Sequence, residues 1–190
     1  DVIGQLKYRP NKKLEMYVRY RFKNKPINTD AENIENIAPV FYEEKENTRL
    51  NIDIKASENI RFRSRVEFLA YERIGGVKEK GFMAFQDVHY SPKGKKYSFK
   101  LRYALFDTDS YSSRIYAYEN DLLYLFSVPA MYYRGSRYYV ILRYKFNHKL
   151  DLWLRYSRAV YDNRDEISSG LNGITGNTRT DLKVQLIIKL

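Results

Sequence analysis

Apolar and polar residues alternate with a period of two through nearly the whole chain, which is the signature of extended strands with two unlike faces. Residues 14–23 are the clearest case. Leu14, Met16, Val18, Tyr20 and Phe22 fall on one side, and Glu15, Tyr17, Arg19, Arg21 and Lys23 on the other. The same split recurs at 49–56, 60–68, 97–105, 138–146, 150–156 and over the last ten residues, with weaker copies at 2–8 and 82–90. Short turns are expected at Pro10-Asn11-Lys12, Ser57-Glu58-Asn59, Pro92-Lys93-Gly94 and Asn147-His148. Longer polar stretches lie at 24–46, 73–80, 107–113 and 163–178. Strand, short turn, strand, long loop describes an up-and-down meander of antiparallel neighbours.

The stretch 111–136 alternates less clearly. With the turns at 92–95 and 147–148 at one end of the sheet, one passage in each direction is fitted between the flanking strands. These are a strand near 113–118, a turn at Glu119-Asn120-Asp121 and a strand near 122–128. Pro129, which has no N–H for a ladder, ends the second. The expectation is about eleven strands over residues 1–190.

Which face meets water is decided by what the two faces carry. The chain holds 19 Tyr and 10 Phe among 190 residues, and its net charge is +11. The polar face is not the short-chain Thr, Ser and Lys surface of a soluble sheet but is rich in long Arg and large Tyr residues. Strands of about ten residues suit a tilted membrane crossing. Tyr8, Tyr20, Tyr90, Tyr97, Tyr144 and Tyr156 are expected near strand ends, as in interfacial girdles. The expected fold is therefore all-β: an antiparallel up-and-down transmembrane β-barrel in the outer membrane. Leu14, Val18, Phe62, Leu101, Leu142, Leu152 and Leu186 would face lipid, and Arg19, Arg21, Arg61, Arg63, Arg65, Arg102, Arg143 and Arg155 would face the lumen. Bacterial barrels normally have an even strand number, and the chain opens inside a strand pattern with no initiator Met. The expectation is the C-terminal part of a larger barrel, with strands and modules upstream of Asp1. A soluble β-sandwich or barrel is the competing architecture.

Residues 114–190 carry an RIYAYEND segment, an LDLWLRYS strand, a D-N-R-D-E-I-S-S-G-L loop and a terminal amphipathic strand. In these features the chain resembles the C-terminal end of large outer-membrane barrel proteins of Bacteroidota that carry N-terminal helix-hairpin-helix modules. KLEMYVRYRFKNKP at 13–26 matches more loosely. The resemblance implies a barrel in the outer membrane with a periplasmic N-terminal region. Helix-hairpin-helix units elsewhere bind the DNA backbone through a Gly-containing hairpin. None is present in these residues, so DNA binding does not carry over. Leu190 departs from the aromatic residue that commonly ends such chains.

The clear strands place fifteen cations and five acids on the polar face. Two readings stay open: these side chains pair with acids on neighbouring strands or on a plug and fill the lumen, or they line a path for anionic solutes or polymers. Arg61, Arg63 and Arg65 are the sharpest local feature. They share one face at a spacing of about 7 Å and need anionic partners, for which Asp53, Glu15 and Glu67 are candidates.

Catalysis is not expected. His148 sits in a turn, and His89, expected to face the lumen beside Asp87, is a feeble lead for a hydrolase. Zero Cys excludes thiolate chemistry and disulfides. No phosphate loop, metalloprotease or calcium-loop pattern occurs, so no cofactor or metal is expected. Asp107-Thr108-Asp109-Ser110 and residues 162–166 read as solvated acidic loops. The functional expectation is an outer-membrane barrel with a basic lumen that anchors an envelope assembly. Its partners would be outer-membrane lipid and other envelope proteins. The alternatives are an anion channel and a soluble nucleic-acid-binding β-protein. Base stacking would need aromatics beside cations, and most aromatics here lie opposite the Arg residues.

Overall fold

The computed structural model describes residues 1–28, 40–73, 75–168, 170 and 173–189. Nine long strands form one antiparallel sheet: β1 (Val2–Asn11), β2 (Leu14–Asn28), β3 (Val40–Lys55), β4 (Ile60–Arg73), β5 (Glu79–Tyr90), β6 (Tyr97–Thr108), β9 (Arg134–Lys145), β10 (Leu150–Tyr161) and β13 (Thr178–Ile188). They pair in chain order, up and down, from β1 to β13. Four two-residue strands form two separate ladders: β7 (Ile115–Tyr116) with β8 (Ala130–Met131), and β11 (Glu166–Ile167) with β12 (Ile174–Thr175). Among the described residues β1 and β13 do not pair with each other, so the sheet has two free edges and is not a closed barrel.

The strand count corrects the expected eleven. Segment 109–133 holds no traversing strands, because β6 pairs directly with β9 from Tyr97↔Tyr144 to Asp107↔Arg134. The one passage in each direction expected there is absent: β6 ends and β9 begins at the same end of the sheet, so the two pair directly with no strand between them. The expected turn at 119–121 lies instead at 122–125, where the Leu125 N–H donates to the Leu122 carbonyl and Tyr124 adopts φ 68°. The middle of the expected 24–46 loop, residues 29–39, lies outside the described residues, as do Leu190 and, in the 162–171 loop, Ser169 and Leu171.

Three of the four short turns are closed by the same device, a side-chain oxygen accepting two backbone N–H groups. Asn11 Oδ1 takes Lys13 and Leu14 (2.8 and 3.0 Å), Ser57 Oγ takes Asn59 and Ile60 (3.2 and 3.1 Å), and Asn147 Oδ1 takes Lys149 and Leu150 (2.8 and 3.0 Å). The fourth uses Gly94 at φ 71°. All four turns lie at one end of the sheet, and the longer connections lie at the other.

The two faces differ in burial. The apolar side is bare: Val18, Leu142, Val184 and Leu186 keep 48, 48, 62 and 55% of their surface exposed. Segment 109–133 covers the middle of the charged side, where Arg102 and Arg155 are 2% exposed, and leaves β1 bare. The covered face also holds apolar residues near the long-loop end. Leu69, Met83, Phe85, Ala104 and Phe106 pack there against Ile115, Ala117 and Met131 of the segment and Ile167 of the β11–β12 hairpin.

The bare apolar band runs obliquely across the ladder. One row of directly paired residues passes through Leu14, Ile54, Phe62, Val88, Leu101, Val140, Tyr156 and Leu182. On β2 the apolar residues continue from this row toward the long loops, through Met16, Val18, Tyr20 and Phe22. On β13 they continue the opposite way, through Val184, Leu186 and Ile188, while Thr180 and Thr178 occupy the loop side. The band thus slides by about one residue per strand. At ~3.3 Å per residue and ~4.8 Å between strands this is a slope on the order of 35°, which is the strand tilt of barrels. Tyr90, Tyr97 and Phe99 cluster at the turn end (6.2 and 5.1 Å between ring centroids), as do Tyr144 and Phe146 (4.9 Å). Tyr20 and Tyr156 depart from the expected girdle: Tyr20 lies mid-strand in β2, opposite Thr48, and Tyr156 sits mid-strand against Tyr138, 6.1 Å away.

Gly135 is required where β9 meets β10. A Cβ there would lie 2.2 Å from the Val160 carbonyl oxygen, which is ladder backbone and cannot yield. Gly135→Ala is expected to shift the β9–β10 register and to lower the unfolding midpoint in a urea titration of the full-length protein, with the fastest amide exchange at Val160 and Tyr161.

Candidate functional site

Segment 109–133 leaves the long-loop end after β6, runs down over the charged face and returns to β9. Gly81 permits its close approach, since a Cβ there would meet the Ser113 carbonyl at 2.5 Å. Its path is set by charge. Glu119 is wholly buried and is clasped by two guanidiniums from adjacent strands. Arg137 donates through Nε (2.6 Å) and Nη2 (3.1 Å), and Arg155 donates through Nη2 (2.6 Å). Asp121 accepts Lys183 Nζ at 2.7 Å from the edge strand β13. Backbone carbonyls of the segment serve as further acceptors: Tyr118 for Arg102 (2.5 Å), Asn120 for Arg155 (3.3 Å), Leu123 for Gln185 (3.0 Å) and Ser112 for Lys45 (3.0 Å). Tyr139 Oη accepts the Asn120 backbone and side-chain amides at 3.2 and 2.9 Å. The segment therefore spans strands from β3 to β13 with few apolar contacts at its tip, where Leu122 packs with Tyr139 and Ile141.

The eight guanidiniums expected on one face all lie on the covered side, and their partners differ by region. Asp53 holds Arg61 through both of its oxygens and also accepts Arg63 Nε and Nη2 at 3.0 and 2.8 Å. Arg65 finds no carboxylate there; it reaches Asn51 at 3.2 Å and Tyr17 Oη at 3.4 Å, and stacks on Phe85 at 5.0 Å. Glu67 is taken by Arg49 (2.6 and 2.8 Å) and Asn47 (2.8 Å). Glu15 is taken by Lys7 at 2.8 Å. Of the three acids considered for the arginine triplet, only Asp53 binds it. Arg102 is fixed by Asp87 (2.5 and 2.7 Å) and lies 3.6 Å over the Phe85 ring. Arg143 pairs with Asp151 (2.5 Å) and stacks on Trp153 at 4.8 Å. Arg21 pairs with Asp1 at 2.9 and 2.5 Å.

His89 lies on the covered face opposite Arg61 and Lys100, as expected, but the Asp87 carboxylate serves Arg102, so no base–orienter pair forms from His89 and Asp87. His148 is exposed in its turn. In the 107–110 stretch Asp109 accepts the Lys80 N–H at 2.7 Å, and its carboxylate closes a backbone gap. Strand periodicity did not identify Glu119 and Asp121 as partners of the basic face, because it treats 113–128 as two more strands. The signal available was two acids in a stretch that alternates poorly, beside a chain with a large cationic excess.

Asp121 shows the electrostatics of the clasp. Burial alone would push its carboxyl up. Lys183, the Leu122 N–H and Arg155 outweigh burial and hold the carboxyl below its ordinary value. At the turn end the exposed Glu58 carboxyl is also held low, by hydrogen bonds from Lys55 and Lys93.

No protein-family model matches the chain, and no curated protein matches it.

Glu119→Ala leaves two buried guanidiniums facing each other. Breaking one side of a buried pair costs about 3–5 kcal/mol. The variant is expected to release the segment and to expose 109–133 to protease while the long strands persist. A depressed carboxyl contributes stability above its unfolded value, about 3.9, and loses that contribution as pH falls through its lower folded value. Protection of Asn120–Leu123 amides should therefore be constant from pH 7 to about 4 and fall below that, with Asp121→Asn removing the transition.

Proposed function

We propose that this chain is the C-terminal part of an outer-membrane β-barrel that anchors an envelope assembly, with a basic lumen filled on one side by its own in-folded segment. The bare apolar band carries this reading. A contiguous apolar surface of this size on a folded sheet calls for a non-aqueous partner, and its oblique course matches a bilayer crossed by tilted strands. Strands β2 and β3 exceed the length needed to cross a bilayer. Their surplus carries charge on both faces, as at Lys23, Lys25, Glu44 and Lys45, which suits projection beyond the lipid at the long-loop end. The two free edges call for further strands supplied from upstream. The resemblance to Bacteroidota barrel proteins with helix-hairpin-helix modules agrees with this assignment. Its partners are outer-membrane lipid on the apolar face and envelope proteins through the upstream modules.

Anchoring is favoured over transport of anionic solutes because segment 109–133 crosses the charged face and consumes Arg102, Arg137, Arg155 and Lys183. A soluble nucleic-acid binder would leave its cations rather than its leucines bare.

The full-length protein is expected to fractionate with the outer membrane and to need detergent or lipid for stability; persistence in buffer without amphiphile would sink the proposal. Within lipid vesicles Leu142→Arg, at the middle of the band, should cost about 2–4 kcal/mol of folding stability in urea titrations. Lys149→Arg, at the exposed turn, should cost nothing measurable.

A further inference from the structure

The in-folded segment divides the charged face unequally. Its acids, Glu119 and Asp121, point at β9, β10 and β13. Its cation, Arg114, points the other way, into a groove of about 370 Å³ against β2 and β3. The β2 wall of that groove is Arg19, Arg21, Lys23 and Lys25, four cations on alternate residues and so on one face at intervals of about 7 Å. Strand β3 adds Lys45 and Arg49. Against these seven cations stand two lining carboxylates, Glu43 and Glu67. Glu67 is held by Arg49 and Asn47, and Glu43, opposite Lys25 in the ladder, accepts the Tyr71 hydroxyl at 3.1 Å, so at most one carboxylate charge is left for the other cations. Among the described residues no carboxylate comes within ion-pair reach of Arg19, Lys23, Lys25, Lys45 or Arg114. The Arg19 Nε is buried and makes no hydrogen bond among the described residues. Arg114 spends its Nε on Tyr116 Oη (2.8 Å) and its Nη1 on the Tyr111 carbonyl (2.6 Å). Its stacking on Tyr111 at 4.1 Å holds the guanidinium in place.

We infer that this groove is a binding site for a phosphate-type oxyanion carrying two or more charges. Crowded cations stay in place when an anion neutralises them, and guanidinium forks present paired donors to tetrahedral oxyanions. Diphosphate-sized ligands can bridge neighbouring cations at this spacing. The groove opens on the face opposite the apolar band, so its ligand is a solute and not a lipid head group. The inference goes beyond anchoring and does not depend on it, since the charged face has the same geometry whatever meets the apolar one.

The test is calorimetric titration of the full-length protein with inorganic pyrophosphate in nonionic detergent at low and at physiological salt. Saturable binding that weakens with salt is expected. Arg19→Gln combined with Lys23→Gln should raise the dissociation constant at least tenfold. Arg114→Gln, whose side-chain hydrogen bonds stay within its own segment, should raise it severalfold without altering the sheet. Lys93→Gln, at the opposite end, should leave it within twofold. Absence of saturable binding, or equal affinity in wild type, Arg114→Gln and the β2 double variant, overturns the site. Binding by a protein that proves stable without detergent would overturn the membrane anchor and leave the site standing.

Discussion

The carboxylate of Glu119, buried to zero exposure between Arg137 and Arg155, is the contact on which the arrangement of the charged face depends. Two guanidiniums on adjacent strands repel unless an anion lies between them, and burial removes the water that would otherwise screen them. The strands cannot supply that anion themselves, because directly opposite Arg155 stands Ile141 on one side and Lys183 on the other. A segment from outside the ladder has to deliver it. Once Glu119 is seated, Asp121 falls within reach of Lys183, Tyr139 receives the Asn120 amides, and the apolar residues Ile115, Ala117 and Met131 are laid over Met83 and Phe106. One ion-pair cluster thus couples the edge of the sheet to its middle.

The same clasp accounts for the asymmetry between the two halves of the sheet. From β5 to β13 Arg102, Arg137, Arg143, Arg155 and Lys183 are matched by Asp87, Glu119, Asp121 and Asp151, while Lys100 has no carboxylate in ion-pair reach among the described residues. From β2 to β3 the ladder of Arg19 to Lys25 meets only Asp1 and carboxylates already engaged elsewhere. The charge that makes this half costly to desolvate also makes it receptive to an anionic solute. The opposite face shows no such division. Its apolar band is continuous and follows a slope that no single hydrogen-bonded row follows.

Much of this was legible in the chain. Period-two alternation located all nine long strands, because in an extended chain neighbouring side chains must point to opposite faces. It also sorted Val18, Leu101, Leu142 and Leu186 from Arg19, Arg63, Arg102 and Arg155. The four short turns were readable from Asn, Ser and Gly, whose side chains or freedom at φ close a tight reversal. Segment 109–133 was not legible, since it obeys no period: its course is dictated by guanidiniums more than fifteen residues away in sequence. For the same reason Asp53 could be named among candidates for the arginine triplet, but its choice of Arg61 and Arg63 over Arg65 could not.

Local chemistry therefore determined the strands, their two faces and the short turns, because each depends only on residues a few positions apart. Tertiary structure decided that β6 runs straight into pairing with β9, that segment 109–133 folds back over the charged face, and which carboxylate meets which cation. Those outcomes rest on electrostatic matches between residues far apart in the chain, and such matches exist only once the sheet has brought its strands side by side.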